Sequence, residues 1–353
     1  MKRRTRLVCL LGSVLACLAG CGVLTAVSVH MAGSLPHQQA AERFAGSGGE
    51  LPYAQVSVFT NEENRLTEGI IGMYEESMND ALREASLEAS SEEARLWYDA
   101  WSAQAGSMEL SGTRGGSVTA SVTAVGGDFF AVHPVRLVAG GYFSQEDLMQ
   151  DRILIDTTLA WQLFGSWEVE GMTVTVMGHP CIVSGVTEPD PDSASKAAYG
   201  EAPRCYLSFT LYEAMQQEQG MEARADCYEA VLPNPVHGFA RGKLTNVIGE
   251  AHDGMVIVQN TGRYGIAQRY HTLCHLRALM TASDGVTYPH WENAARIRDY
   301  DEALLLLWQC VLLVWPCLFG LMMLWKGYRA LGRFLAQRHR ARKRRYRTIP
   351  EQP

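Results

Sequence analysis

The chain has 353 residues, enough for one large domain or two moderate ones. Hydrophobic residues make up 47% and charged residues 20%, which supports a packed core and excludes wholesale disorder. The formal charge of −7 hides a segregation: residues 1–6 carry four Lys/Arg, residues 326–353 carry ten, and residues 7–325 hold 17 Lys/Arg against 37 Asp/Glu.

An acidic body with two basic ends is what a membrane would select. The segment LVCLLGSVLACLAGCGVLTAVSV (7–29) has 23 uncharged residues, and ALLLLWQCVLLVWPCLFGLMMLW (303–325) has 23 more. About 20 apolar residues cross the hydrocarbon core as a helix, so each is long enough to span it. Lys2, Arg3, Arg4 and Arg6 precede the first span, and Lys326, Arg329 and Arg333 follow the second. Positive flanks stay inside. This predicts a cytoplasmic N-terminus (1–6), transmembrane helix 1 (7–29), an extracytoplasmic region (30–302), transmembrane helix 2 (303–325) and a cytoplasmic basic tail (326–353), all at the cell membrane. Trp325 fits an interfacial belt. The stretch LAGC (18–21) also reads as a lipoprotein cleavage box, with Cys21 the acylated residue; either N-terminus leaves the middle outside.

Residues 30–50 read as a polar tether. QVSVF (55–59) alternates like a strand. Leu66, Ile70, Tyr74, Met78 and Leu82 recur every four residues, one face of a core-packed helix. SSEEARLWYDAWS (90–102) reads as a second helix with Ser91 as cap and Trp97 and Trp101 four apart. From residue 107 the period changes to two. SMELSG and SVTASVTAV predict a hairpin, followed by strands at VRLVAG (135–140) and RILID (152–156). Asp156 caps the predicted helix TTLAWQLF, and Gly165 closes it. MTVTVM and CIVSGV flank GHP as a second hairpin, and CYEAVLP and MVIVQN are later strands. Helices are expected in TLYEAMQQE, VHGFARGKLTNVIGE and much of 266–280. Between Trp291 and Trp315 there is neither Gly nor Pro, so one helix is expected to run from the domain into the membrane, kinked at Pro316. On that stalk Ile297→Pro should be damaging and Arg298→Ala tolerated.

The sequence offers no constellation for catalysis. It lacks GxxxxGK[ST], GxSxG and HExxH, so the chain is not itself a P-loop ATPase, and no catalytic, cofactor-binding or metal site is expected. His271 and His275 in HTLCH lie four apart beside Cys274 but lack a third ligand, and an ordinary helix face is expected. EPDPD (188–192) reads as a solvated turn. The basic stretch RHRARKRRYR, beside a membrane span, suits anionic lipid rather than nucleic acid. Cys181, Cys205, Cys227 and Cys274 allow three complete disulfide pairings, and spacing does not choose among them.

Residues 124–186 resemble the MacB-like periplasmic core domain of ABC transporter permeases. The resemblance rests on a GGDFF stretch (with Gly127, Phe129 and Phe130), a strand and turn with Leu137, Gly140 and Phe143, and an LAxxLFG helix (Leu159, Ala160, Leu163, Phe164, Gly165). A final pattern of Gly171, Val174, Gly178, Val183, Gly185 and Val186 completes it. It implies an α+β extracytoplasmic domain between two transmembrane α-helices. It further implies a truncated, two-helix permease-like subunit that works with a separate ABC ATPase and a full-length permease, without catalysis of its own. An anchored receptor or adhesion module is the alternative, and an extracytoplasmic enzyme a third.

Overall fold

The computed structural model describes residues 2–45, 51–87, 95–112, 116–144, 147, 149–276 and 285–347. The chain divides into two compact units: Met31–Asp301, and Met1–His30 with Glu302–Pro353.

The terminal unit holds helix α1 (Lys2–Ala32) and most of a long last helix, α10 (His290–Arg347). Both are long and apolar enough to cross a membrane. Pro316 lies inside α10, which continues past it. Polar side chains join the two helices. Ser28 Oγ donates to Glu302 Oε2 at 2.6 Å, Gln309 Nε2 to Thr25 Oγ1 at 3.1 Å, and Trp315 Nε1 to Ser13 Oγ at 2.9 Å. In an apolar surround such bonds satisfy groups that would otherwise be costly to bury.

The other unit is a mixed α/β domain with ten strands among the described residues. These are β1 (Tyr53–Thr60), β2 (Tyr98–Gly112), β3 (Ser117–Gly127), β4 (Arg136–Gly140), β5 (Arg152–Asp156), β6 (Thr173–Val176), β7 (His179–Glu188), β8 (Arg204–Ser208), β9 (Cys227–Pro233) and β10 (Met255–Gln259). The order is β10-β1-β9-β2-β3-β8-β5-β7-β4, and β6 pairs both β2 and β7. The pairings β2-β3-β8-β5-β7-β6-β2 therefore close on themselves into a ring, with β4 added against β7. The helices are α2 (Ala40–Ala45), α3 (Glu68–Glu84), α4 (Phe129–Val132), α5 (Thr157–Phe164), α6 (Ser193–Tyr199), α7 (Phe209–Glu218), α8 (Phe239–Ile248) and α9 (Ile266–Cys274).

Local sequence explains α5 closely. Asp156 Oδ1 accepts from the Leu159 N–H at 2.7 Å, and Gly165 ends the helix at φ 69°. Leu159, Ala160, Leu163 and Phe164 are buried in the larger core, with Val174, Val183 and Val186. Phe129, Val135, Phe143 and Trp291 belong to a second core. Gly127 sits at φ +65°, where an added Cβ would meet the Asp99 carbonyl at 2.6 Å, so only glycine fits that close approach.

Three expectations are corrected. The segment 90–102 is no helix where it is described: β2 starts at Tyr98, with Trp97 just before it. β2 lies between β9 and β3, and its residues 99–103 are buried in succession, so its first half shows no alternation of exposure. The helix-like spacing of Trp97 and Trp101 is equally a period of two. Ser91 and residues 88–94 lie outside the described residues, as do 277–280 of the helix expected over 266–280. The tether is largely packed: Ala40 and Ala41 are buried, and the Gln55 side chain accepts from Ala40 N at 3.1 Å and donates to the His37 carbonyl at 2.8 Å. In the second hairpin the turn is Met177–Gly178, both at positive φ, and His179 and Pro180 already belong to β7.

Candidate functional site

Three segments far apart in sequence converge on one buried polar node. The 3₁₀ turn Pro36–Gln38 brings His37, the end of α4 brings His133, and the first turn of α10 brings His290 and Trp291. The ring centroids of His37 and His133 lie 5.3 Å apart, those of His133 and Trp291 4.7 Å, and those of His290 and Trp291 5.0 Å. Phe129 of the GGDFF stretch packs against both His133 and Trp291, at 5.0 and 5.4 Å. All four ring residues of the node are at least nine-tenths buried.

Each imidazole has a distinct partner. His37 Nε2 lies 3.2 Å from Asp190. His133 Nε2 bonds Glu229 Oε2, whose other oxygen accepts from Ser57, its cross-strand neighbour in the β1–β9 ladder. His290 Nε2 meets the Tyr206 hydroxyl at 3.3 Å. Burial depresses the His133 pKa despite the neighbouring Glu229. Burial would raise that of Glu229, but His133 first, then Ser57 and Gln55, hold it below the usual carboxylate range. Both shifts favour a neutral imidazole facing an ionised carboxylate.

The network continues into α10. Asn260 donates to Ser57 Oγ at 2.6 Å and accepts from Arg263 at 3.5 Å. The Arg263 guanidinium then grips Glu292 and Asp299, two turns apart on one face of α10. Its bonds to Glu292 are 2.8 and 2.8 Å, and those to Asp299 are 3.0, 3.0 and 2.6 Å. Burial alone would disfavour its charge, but Glu292 and Asp299 raise its pKa well above the ordinary value. A second arginine, Arg298, is 2% exposed; it bonds Asp192 at 3.0 Å and lies 3.6 Å from Asp301. The expectation that Arg298→Ala barely perturbs the helix is corrected for stability, because this side chain is a buried ion-pair partner rather than a surface group.

The acidic loop is also corrected. Glu188 pairs with Arg136 at 2.7 Å, Asp190 with His37, and Asp192 caps α6 through Ala194 and Ser195 while holding Arg298. These carboxylates are structural, not a solvated turn. His271 and His275 stack on α9 with centroids 4.3 Å apart, and among the described residues no three His, Cys, Asp or Glu are grouped to hold a metal. Cys181, Cys205 and Cys227 are buried free thiols, and Cys274 is exposed. Beside the node a cavity of about 20 Å³ is lined by His37, Asp190, Ser195, Tyr206, His290 and Trp291, room for about one water. Sequence reasoning missed His37, His133, His290 and Arg263. Histidine and arginine singlets carry no local pattern, and only the tertiary fold unites them.

The packed MacB-type residues and the mixed α/β domain point to one class, the extracytoplasmic domain of a transporter permease. Residues 13–238 match the MacB-like periplasmic core domain, and the chain belongs to that family. Among solved structures it is similar to the periplasmic region of MacB from Actinobacillus actinomycetemcomitans, at 14% identity and TM-score 0.41, covering 62% of this chain and 92% of that one. It is also similar to the extracellular domain of the noncanonic ABC-type transporter YknZ from Gram-positive bacteria, at 13% identity and TM-score 0.38, covering 58% of this chain and 99% of that one. No curated protein matches the sequence.

Proposed function

We propose that the chain is a permease-like membrane subunit of an ABC transporter, with residues 30–302 outside the cell and both basic ends in the cytoplasm. The outer domain binds partners or substrate, performs no catalysis itself, and is coupled to a separate ATPase and a full-length permease. The basic tail lies against anionic lipid. One observation carries the reading. α10 is a single helix whose first turns are held inside the domain by Arg263 and Arg298 and whose next residues form the apolar stretch 303–325. A helix gripped at its root is suited to passing motion, because a rigid element responds as a unit.

Affinity purification of the tagged chain in mild detergent tests this. An ABC ATPase and a polytopic permease should be recovered with it. Recovery of the chain alone, under conditions that preserve other transporter complexes, would leave the anchored receptor module as the better account.

A further inference from the structure

We propose that the His37–His133–His290 cluster is a proton-operated latch: acidification of the surrounding medium releases the first turn of α10 from the domain. Among the described residues, the geometry supplies three imidazoles around one indole but only two bonded carboxylates. Asp190, in the loop after β7, is engaged by His37, and Glu229, on β9, by His133. The third imidazole, His290, has none. On β8 it faces the Tyr206 hydroxyl and Arg204, and on α6 the Tyr199 ring, 5.3 Å away edge-on. From the 3₁₀ turn it faces His37 at 6.3 Å. On α2, Arg43 adds positive charge near His133 while donating to the Val132 carbonyl at 2.7 Å.

A proton on His290 would therefore enter a buried site beside the Arg204 guanidinium, with the Asp190 carboxylate already engaged by His37. Burial, with Arg204, His37 and His133 adding to it, holds the His290 pKa well below its ordinary value. An exposed histidine protonates near pH ~6.5, so acid favours whichever state lets His290 reach water. The sign follows from a folded pKa lower than the unfolded one. The contribution is fully present above about pH 6.5 and is lost as pH falls towards the folded pKa. His290 and Trp291 open α10, so the state that admits water to His290 is one in which that turn has left the cluster. Among the described residues, the Nδ1 atoms of all three histidines are buried without a hydrogen-bond partner, so protonation gains no waiting acceptor there.

Hydrogen–deuterium exchange of the full chain in detergent, read by mass spectrometry at pH 7.5 and 5.5 after correction for intrinsic rates, tests the latch. Peptides covering residues 288–300 should show an open population about tenfold larger at pH 5.5, the ratio expected for one histidine that is neutral when closed. Peptides from β9 should stay constant. In His290→Gln the pH dependence over 288–300 should vanish. Unchanged exchange in the wild type, or an equal rise in His290→Gln, overturns the proposal. If His290→Gln fails to fold, exchange at the imidazole C2 position of the wild type decides: a His290 midpoint well below 6.5 supports the latch, and an ordinary midpoint removes it. The physiological role rests on the extracytoplasmic placement proposed above. The exchange result does not depend on orientation, so failure of either reading is separately visible.

Discussion

Arg263 donates two hydrogen bonds to Glu292, each at 2.8 Å, and both residues are buried. The pair joins the turn after β10 to the first turn of α10. Breaking a buried ion pair from one side leaves an uncompensated charge and costs about 3–5 kcal/mol. Arg263→Met strands two carboxylates, Glu292 and Asp299, so the cost should lie in that range. Arg263→Lys keeps the charge but cannot reproduce the fork, and should fall between. Thermal unfolding of the purified chain measures both, and an unchanged midpoint in Arg263→Met would show that the clamp adds nothing.

The helix α5 offers a test of the family core. Phe164 is 4% exposed among the residues of the larger core. Phe164→Ala should cost about 3–5 kcal/mol through lost burial and a cavity. Asp156→Ala removes the cap, worth about 1–2 kcal/mol, and also the acceptor of the Arg204 N–H at 2.9 Å. Chemical denaturation reads both variants. If Phe164→Ala keeps the wild-type midpoint, the helix does not pack as described.

Asp99 gives a pH signature opposite to that of His290. Burial first, and then Glu75, push its pKa up to about 7, although the Tyr228 hydroxyl donates to it at 3.1 Å. An unfolded Asp titrates near ~3.9, so folding favours the protonated form. Its stabilising contribution is complete at low pH and is lost as pH rises from about 4 to 7. Asp99→Asn keeps an acceptor for Tyr228 and removes the charge. It should raise the melting temperature at pH 8 and leave it unchanged near pH 4. A lower midpoint at pH 8 would mean that Asp99 is stable as a buried anion.

The contrast between α5 and the histidine node shows what could be read from the sequence. The cap, the apolar face and the closing glycine of α5 lie within ten consecutive residues, so local chemistry fixes them. The same holds for the two hairpins and for most strands. The link between His133 and Glu229 spans 96 positions, and that between Arg263 and Asp299 spans 36. No local period marks either. Closure of the strand ring also depends on distant pairings, β3 with β8 in parallel and β2 with β6. β2 misled the periodic reading because its residues 99–103 are buried in succession, so no alternation marks where the strand starts.

Topology has a native probe. Cys274 is exposed on α9, whereas Cys181, Cys205 and Cys227 are buried. In intact cells a membrane-impermeant maleimide should label Cys274, and Cys274→Ser should abolish that signal from the domain. A cysteine placed at Arg338 in a Cys274→Ser background should react only after permeabilisation. Labelling at position 338 in intact cells, with none at Cys274, would invert the orientation.

The root of α10 separates stiffness from anchorage. Ile297 is half-exposed, so its side chain contributes little to the core. Proline there removes the hydrogen bond from the Ile297 N–H to the Asn293 carbonyl and clashes with the preceding turn, costing about 3 kcal/mol locally. The kink falls between Glu292 and Asp299, the two residues that Arg263 holds together. Arg298→Ala acts differently: it leaves the helix backbone intact but deprives Asp192 and Asp301 of their buried cation. Asp192 keeps its α6 cap and Asp301 is partly exposed, so the loss should sit near the lower end of the range for broken buried pairs, about 3 kcal/mol. At matched abundance, Ile297→Pro should abolish the phenotype conferred by the transporter complex. Arg298→Ala should lower thermal stability and abundance yet retain activity per molecule. Full function of Ile297→Pro would remove the mechanical role of the helix. Loss of activity per molecule in a stably folded Arg298→Ala would show that the arginine takes part in the motion itself.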